Sequence, residues 1–173
     1  RIRSKSLEKK VEVLTFIEDQ ALSGGYWLAL AGDKIFVNSA SLVGSIGVIF
    51  SSFGASEAIS KIGIERRVIS SGKNKAIMDM FSPVEEDHID IIRDSVNVIH
   101  DDFVIQVAQR RGDRINKDII DPYCAQCIEA VLEADPNEAV HTILEDHRQK
   151  AVNTKGKGVD IFSGAFFVGR RAV

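Results

Sequence analysis

At positions 21–27 the chain reads Ala21-Leu22-Ser23-Gly24-Gly25-Tyr26-Trp27, between an apolar, β-branched run at Val11–Ile17 and a second apolar run at Tyr26–Ala31. The first run predicts a buried strand and the second a short helix. A carbonyl attacked by the Oγ of Ser23 would develop negative charge beside the Gly24 N–H and the positive end of the helix dipole. The segment therefore indicates a nucleophilic serine. The alternative is a helix-capping serine followed by two packing glycines.

Short strands and helices alternate on both sides of this turn. Further strands are predicted at Lys34–Asn38, in the second half of Leu42–Phe50 and at Glu65–Ser70. Polar helices are predicted at 1–9 and at Ala55–Lys61. This alternation is typical of an α/β domain with crossover connections.

A long helix is predicted after Ser82-Pro83-Val84-Glu85, a capping box with proline in the first helical position. Gly112 is expected to end it. Two shorter helices, roughly 122–134 and 136–149, follow Asp-Pro start signals, and Lys150–Gly158 reads as a linker. The long helix carries one apolar stripe at spacings of three and four, formed by Ile89, Ile92, Val96, Ile99, Phe103 and Val107.

The composition is that of an ordinary globular domain, with 173 residues, 45% hydrophobic and 27% charged. A net charge of −3 argues against nucleic acid as a partner, because phosphate binding needs a clustered basic excess. No apolar run approaches the roughly 20 residues that span a bilayer. Arg1 opens what reads as a helix already under way, so we expect the chain to be a piece of a longer protein.

The only two cysteines, Cys124 and Cys127, are spaced C-x-x-C in the first turn of a predicted helix. One such pair cannot complete a four-ligand zinc site, and no strand precedes it as in a thioredoxin-like motif. We interpret both as small residues of a helix start, with a redox or metal pair as the alternative. Neither a metal nor a cofactor is expected for this chain.

A nucleophilic serine needs a base, and the sequence offers histidine or lysine. The four histidines fall in polar positions of predicted helices, so as a group they are predicted to be solvated. They are His88, His100, His141 and His147. The segment Ser70-Ser71-Gly72-Lys73-Asn74-Lys75-Ala76 follows a predicted strand that should lead back to the mouth of the domain. Burial would have to lower a lysine's pKa by roughly three units from about 10.4 to make it a useful base.

The chain resembles the signal peptide peptidase A (protease IV-like) family of serine peptidases. The resemblance covers about residues 1–118 and 159–173, and residues 119–158 have no recognised counterpart. The matching motifs are 21–29, 31–35, Val43-Gly44-Ser45-Ile46-Gly47-Val48, Ser71-Gly72 with Lys75, Arg110-Arg111-Gly112-Asp113-Arg114, and 162–164 through 169–172.

The resemblance implies a Ser/Lys dyad. The nucleophile falls on Ser23, the general base on Lys75 and the lysine-orienting hydroxyl on Ser45, while Lys73 is a bystander. Gly24 supplies one oxyanion N–H, and the other half of the oxyanion hole lies upstream of Arg1 in the family. The fragment alone is therefore expected to fold poorly or to be inactive.

The implied fold is of the ClpP/crotonase type, with stacked βα units. We expect a catalytic core at 1–118, an inserted helical hairpin and linker at 119–158, and a return to the core at 159–173. The simplest interpretation of the hairpin is a surface decoration without a specific role. A substrate gate or an oligomer contact is the alternative.

The implied function is an endopeptidase that degrades signal peptides or other membrane-derived or unfolded peptides. The resemblance also implies a homo-oligomer that associates with a membrane, on the extracytoplasmic face or in an organelle, through segments outside this chain. The alternatives are a non-catalytic scaffold of the same fold, a crotonase-like acyl-CoA enzyme and a Ser/His hydrolase.

Overall fold

A computed structural model describes residues 1–116, 120, 122–133, 141–146 and 161–168. The described chain forms two compact units, one from residues 1–48 with 100–173 and one from 49–99. The predicted division at 118 and 158 follows family resemblance, whereas this one follows spatial contacts. The predicted linker Lys150–Gly158 lies outside the described residues.

The first unit contains all the strands in the described part of the chain. Two short parallel pairs of strands form in this unit. In the order of the chain the elements are α1 (Ile2–Lys9), β1 (Leu14–Ile17), β2 (Gln20–Leu22), α2 (Gly24–Ala29), β3 (Lys34–Val37) and β4 (Leu42–Gly44), with β5 (Phe166–Val168) near the end.

The strands are arranged in two small sheets. In one, β1 pairs with β3 in parallel; in the other, β4 lies between β2 in parallel and β5 in antiparallel orientation. The connection from β2 through α2 and β3 to β4 is a crossover, as parallel pairing requires. The α/β class predicted from the sequence is therefore confirmed.

The second unit holds α3 (Ser56–Lys61), a 3₁₀ turn at Lys73–Ala76 and the first part of α4 (Glu86–Arg111). The helix predicted at Ala55–Lys61 is confirmed. The strand predicted at Glu65–Ser70 is wrong, because these residues are all exposed and form no strand. Arg66 and Arg67 instead form surface ion pairs with Asp79 and Glu65.

The apolar stripe of α4 has two different environments. Phe103 and Val107 are each only 1% exposed, whereas Ile89 and Ile99 are 40% and 47% exposed. The helix begins at Glu86, three residues after the predicted first helical position at Pro83, and ends at Arg111 before Gly112 as predicted. The periodicity located the helix, but it could not show which half of its apolar face would be covered.

The main core of the first unit joins the second half of α4 to α5 (Pro122–Glu133) and to the helical residues 141–146. The interpretation of the predicted hairpin as a surface decoration is therefore wrong: it supplies a large share of the core. The fully buried members of this core include Phe103, Val104, Ala108, Cys124, Cys127, Ile128 and Leu144. Both cysteines are fully buried in the first half of α5, in agreement with their interpretation as small residues of a helix start.

We expect Gly32→Ala to destabilise the full-length protein by about 1–3 kcal/mol. A Cβ at Gly32 would overlap Thr15 Oγ1 and lie 2.9 Å from the Lys34 carbonyl oxygen, so the backbone after α2 would have to move. Urea unfolding of Gly32→Ala and Gly54→Ala measures the effect. Gly54→Ala is the matched control, since a Cβ at that position meets nothing within 4 Å. Equal midpoints for the two variants would contradict the packing argument.

Candidate active site

Ser23 occupies the single residue between β2 and α2, with φ 49° and ψ −120°. This positive φ is uncommon for a residue with a Cβ and costs on the order of 1–3 kcal/mol. A strained strand-to-helix turn is also how nucleophilic serines are presented in α/β-hydrolases. Ser23 is exposed, so its hydroxyl lies at the surface of the first unit.

The strained turn is held by its own backbone hydrogen bonds. The Ser23 N–H donates to the Gly44 carbonyl at 2.9 Å, which extends the β2–β4 ladder by one residue. The Ser23 carbonyl accepts from the Trp27 N–H at 3.0 Å, which is the first hydrogen bond of α2. The sheet and the helix therefore fix the serine from both sides.

Ser45 lies beside Ser23 at the end of the neighbouring strand. Leu22 of β2 pairs in register with Gly44 of β4, so the next residue of each strand is a serine. Gly44 and Ser45 have positive φ values of 107° and 55°, and the Ser45 N–H donates to the Ala165 carbonyl at 2.7 Å. The structure thus brings Ser23 and Ser45 together at the carboxyl ends of adjacent parallel strands.

Gly24 and Gly25 form the open side of this turn. Both are exposed, and a Cβ on either would meet nothing within 4 Å. Gly24 is the first residue of α2, where backbone N–H groups have no partner within the helix. The N-terminal end of α2 is therefore open around both glycines.

The predicted base, Lys75, lies in the second unit, in the 3₁₀ turn Lys73–Ala76, and it is exposed. Its neighbour Lys73 forms a 2.7 Å ion pair with Asp87. The hydrogen bond and charge of Asp87 raise the pKa of the Lys73 ammonium. Lys73 is thereby held in its charged form, which cannot accept a proton.

The histidines are less uniformly solvated than predicted. His88 is only 9% exposed, so the solvated interpretation is wrong for this residue. His100 Nε2 lies 3.0 Å from the Phe162 carbonyl oxygen, and His141 Nδ1 lies 2.7 Å from the buried Asp101 carboxylate. These contacts tie α4 to the following segments. His147 lies outside the described residues.

Asp33, which the sequence did not mark as important, joins several elements behind the site. Its carboxylate accepts from the Val13 N–H at 2.9 Å and pairs with Arg3, and Arg110 lies 3.7 Å away. The Val13 hydrogen bond, followed by Arg3 and Arg110, lowers the pKa of this carboxyl against the opposing effect of desolvation. Its position in the motif Ala31–Ile35 was the one available signal.

A cavity of about 410 Å³ lies beside the C-terminal half of α2. Of the apolar residues flanking Ser23, Trp27 reaches this cavity, while its ring also stacks on Phe103. The lining combines apolar side chains with three arginines and consists of Arg1, Ile2, Arg3, Trp27, Leu28, Leu30, Ala31, Gln106 and Arg110.

A family model described as peptidase family S49 matches residues 5–142. The chain belongs to peptidase family S49. The match includes Ser23, Ser45 and Lys75, and it confirms the resemblance to signal peptide peptidase A. It also runs beyond the predicted boundary at 118, so much of the core-forming segment has a counterpart in the family after all.

Three relatives illustrate the range of similarity. A Brucella abortus protein named Na(+)/H(+) antiporter NhaA is 44% identical over 115 residues, which cover 66% of this chain and 16% of that protein. An Enterococcus faecium protein provisionally named signal peptide peptidase SppA is 34% identical over 105 residues, 59% of this chain and 30% of that protein. Protease 4 of Haemophilus influenzae is 32% identical over 110 residues, 63% of this chain and 17% of that protein.

The S49 chain thus spans less than a third of each of these relatives, so their names describe much larger molecules. The family model and the peptidase-named relatives together support a serine peptidase. Within the described residues, none of the helices combines the length and the apolar character needed to cross a bilayer.

Asp33→Asn should remove a pH-dependent part of the stability of this S49 domain. A carboxyl with a lowered folded-state pKa stabilises the fold above its unfolded-state pKa of about 4, and this contribution is lost as the pH falls through the lower folded value. The difference in melting temperature between wild type and Asp33→Asn should therefore be largest above about pH 4 and should shrink at lower pH. Melting curves from pH 2 to 7 measure it; a constant difference across that range would contradict the role of the Asp33 charge.

Proposed function

We propose that this chain carries the catalytic residues of a serine endopeptidase that uses a Ser/Lys dyad, with Ser23 as nucleophile and Lys75 as general base. The observation that carries the proposal is the strained, exposed backbone of Ser23 between β2 and α2. Strain of this kind persists where the surrounding structure enforces it, and it is concentrated at functional sites. A simple N-cap would not require a positive φ, since capping residues ordinarily have β-region dihedrals.

In the proposed mechanism, neutral Lys75 accepts the proton of the Ser23 hydroxyl as the Oγ attacks the peptide carbonyl. The Gly24 N–H stabilises the resulting oxyanion. The lysine then gives the proton to the leaving amine, which leaves an acyl ester on Ser23. Water, deprotonated by the same lysine, releases the acyl group. Ser45 is proposed to orient the amine by a hydrogen bond.

This mechanism needs a desolvated amine. A lysine reaches a pKa useful for catalysis near pH 7 only when its charged form is destabilised, by about 4 kcal/mol for a three-unit shift. Lys75 is exposed in this chain. We therefore propose that bound peptide or a further copy of the protein covers it when the active site is complete.

The family supports peptides as substrates. We propose signal peptides and other membrane-derived or unfolded segments as the class, because an exposed turn flanked by open glycines suits an extended chain. The ClpP/crotonase fold belongs to the same proposal, supported by the parallel β2–β4 crossover. Membrane association, at the extracytoplasmic face or in an organelle through segments outside this chain, rests on the resemblance.

We also propose that the protein works as a homo-oligomer. Residues 49–99, all of which the structure describes, bury no apolar side chain, and Ile49, Phe53 and Ile69 are 89%, 86% and 101% exposed. A unit of this size needs a buried core to be stable. A second copy is the occupant that the resemblance favours for this apolar surface.

The dyad is tested in the full-length protein with a fluorogenic peptide. Ser23→Ala and Lys75→Ala should each lower kcat/KM by about a thousand-fold or more, since a nucleophile and its base act as a unit. Lys73→Ala is the matched control, because it removes a lysine from the same 3₁₀ turn and should leave kcat/KM nearly unchanged. Activity that survives Lys75→Ala, or that is lost in His141→Ala, would overturn the Ser/Lys assignment.

The oligomer is tested by light scattering after gel filtration. Phe53→Ser together with Ile69→Ser should lower the molar mass of the full-length protein, because the two substitutions remove apolar side chains from the surface that a second copy would cover. Leu7→Ser, which changes a 61% exposed apolar residue of α1, is the control that should leave the mass unchanged. An unchanged mass in the double variant would contradict this assignment of the surface.

A further inference from the structure

Arg110, in the last turn of α4, holds the carbonyl end of the helix that presents Ser23. Its Nε donates to the Leu30 carbonyl at 3.0 Å, and its Nη2 donates to the Gly32 carbonyl at 3.1 Å. These carbonyls lie at and just beyond the end of α2, where backbone oxygens lose their helical partners. A guanidinium at this end also matches the negative pole of the helix dipole.

The two hydrogen bonds account for the placement of the Arg110 fork. The nearest carboxylate oxygen that pairs with it, Oδ1 of Asp33, is 3.7 Å away. The side chain is only 24% exposed, so its hydrogen bonds are formed largely away from solvent. Its direct partners are thus the carbonyls of α2 and its exit, rather than an ion-pair acceptor at hydrogen-bond distance.

The second half of α4 contacts α2 at two further points. The Phe103 ring stacks on Trp27, with the ring centroids 4.6 Å apart and the planes 16° from parallel. Burial raises the pKa of the Tyr26 phenol, and the nearby Arg111 guanidinium partly lowers it. Consecutive arginines therefore act on α2 at two places, Arg110 at its carbonyl end and Arg111 near its middle.

The position of α2 matters because the helix is short. Six residues span about 9 Å, and an isolated helix of this length is unstable in water. Its direction must therefore be set by what it packs against. Ser23 and Gly24 lie at the N-terminal end of α2, and the carbonyls bound by Arg110 lie at its C-terminal end. A tilt of the helix at the C-terminal end therefore moves the nucleophile and the oxyanion N–H together.

We propose that Arg110 is a positioning residue for catalysis: by fastening the C-terminal end of α2, it fixes the direction in which Ser23 and Gly24 meet the substrate carbonyl. It acts through the helix and does not touch the reacting atoms. The proposal rests on the proposed serine peptidase function, and it adds a residue that neither the dyad nor the oxyanion hole includes.

The matched control is Arg114, which donates from Nη1 to the next carbonyl, that of Asp33, at 3.0 Å. Its guanidinium therefore also binds a backbone carbonyl of the segment that follows α2. This carbonyl lies one residue further from α2 than that of Gly32, and the Arg114 side chain is exposed. The full-length protein is compared as wild type, Arg110→Ala, Arg110→Lys and Arg114→Ala. Three quantities are measured: kcat and KM on a peptide, the melting temperature, and amide hydrogen exchange of residues 24–30.

Arg110→Ala should lower kcat by about 10- to 100-fold with KM within about two-fold, since a displacement of about 1 Å is sufficient for such a loss. Exchange of the 24–30 amides should become faster. Arg110→Lys should lose less of both, because one ammonium can replace part of the fork but not its two directed bonds. Arg114→Ala should keep kcat within about two-fold of wild type, even where its melting temperature falls.

Equal kcat losses in the Arg110 and Arg114 variants at the same temperature interval below their melting points would overturn the proposal. So would unchanged exchange of residues 24–30, or faster exchange with unchanged kcat. If Arg110→Ala does not fold, Arg110→Lys decides by the same criteria. If Ser23→Ala stays active, the peptidase proposal fails, and the fastening of α2 by Arg110 is then judged on the exchange data alone.

Discussion

The 2.9 Å hydrogen bond from the Ser23 N–H to the Gly44 carbonyl is the contact on which the site depends. It continues the parallel pairing of β2 and β4 past the last residue of β2 and holds a serine with positive φ in place. Without a fixed partner strand, this residue would relax toward the common β or α regions and would cap α2 in the ordinary way. The pairing register also brings Ser45 next to Ser23. One backbone contact thus links the strain of Ser23, its exposure and the adjacency of the two serines in the sheet register.

The rest of the first unit stabilises that arrangement from behind. The second half of α4 packs on one side against α5 and residues 141–146, and on the other against α2 through Phe103 and the two arginines. Asp33 accepts a hydrogen bond from the N–H of Val13, the residue just before β1. A six-residue helix can hold a nucleophile in a fixed position because larger elements determine the orientation of the helix. The segment interpreted as an inserted hairpin is part of this support, which is consistent with the family match extending to residue 142.

The second unit differs from the first in kind. The first unit buries apolar residues in two clusters, whereas residues 49–99 bury none of theirs, and Lys75 in the same unit is exposed. A catalytic lysine needs an apolar environment that the described chain does not provide. Exposure of the base and exposure of the apolar surface thus raise the same question of what covers this unit, and the proposed answer is substrate together with a further copy.

The sequence by itself determined the elements whose signals are local. The α/β alternation, the short helix after Ser23, the helix at 56–61 and the long amphipathic helix ending before Gly112 follow from β-branched runs, glycines and periodicity, which act over a few residues. The strand that leads into Ser23 is β2 (Gln20–Leu22), whereas the β-branched run predicted a strand only at Val11–Ile17. The motifs also determined the family. Glu65–Ser70 failed as a strand because a β-rich run needs a neighbouring strand to pair with, and only the tertiary structure shows that none of the described residues pairs with it. The same holds for the φ of Ser23, the partners of Arg110, and the half of α4 that is buried. Each depends on contacts between residues far apart in the chain, which spacing and composition do not encode.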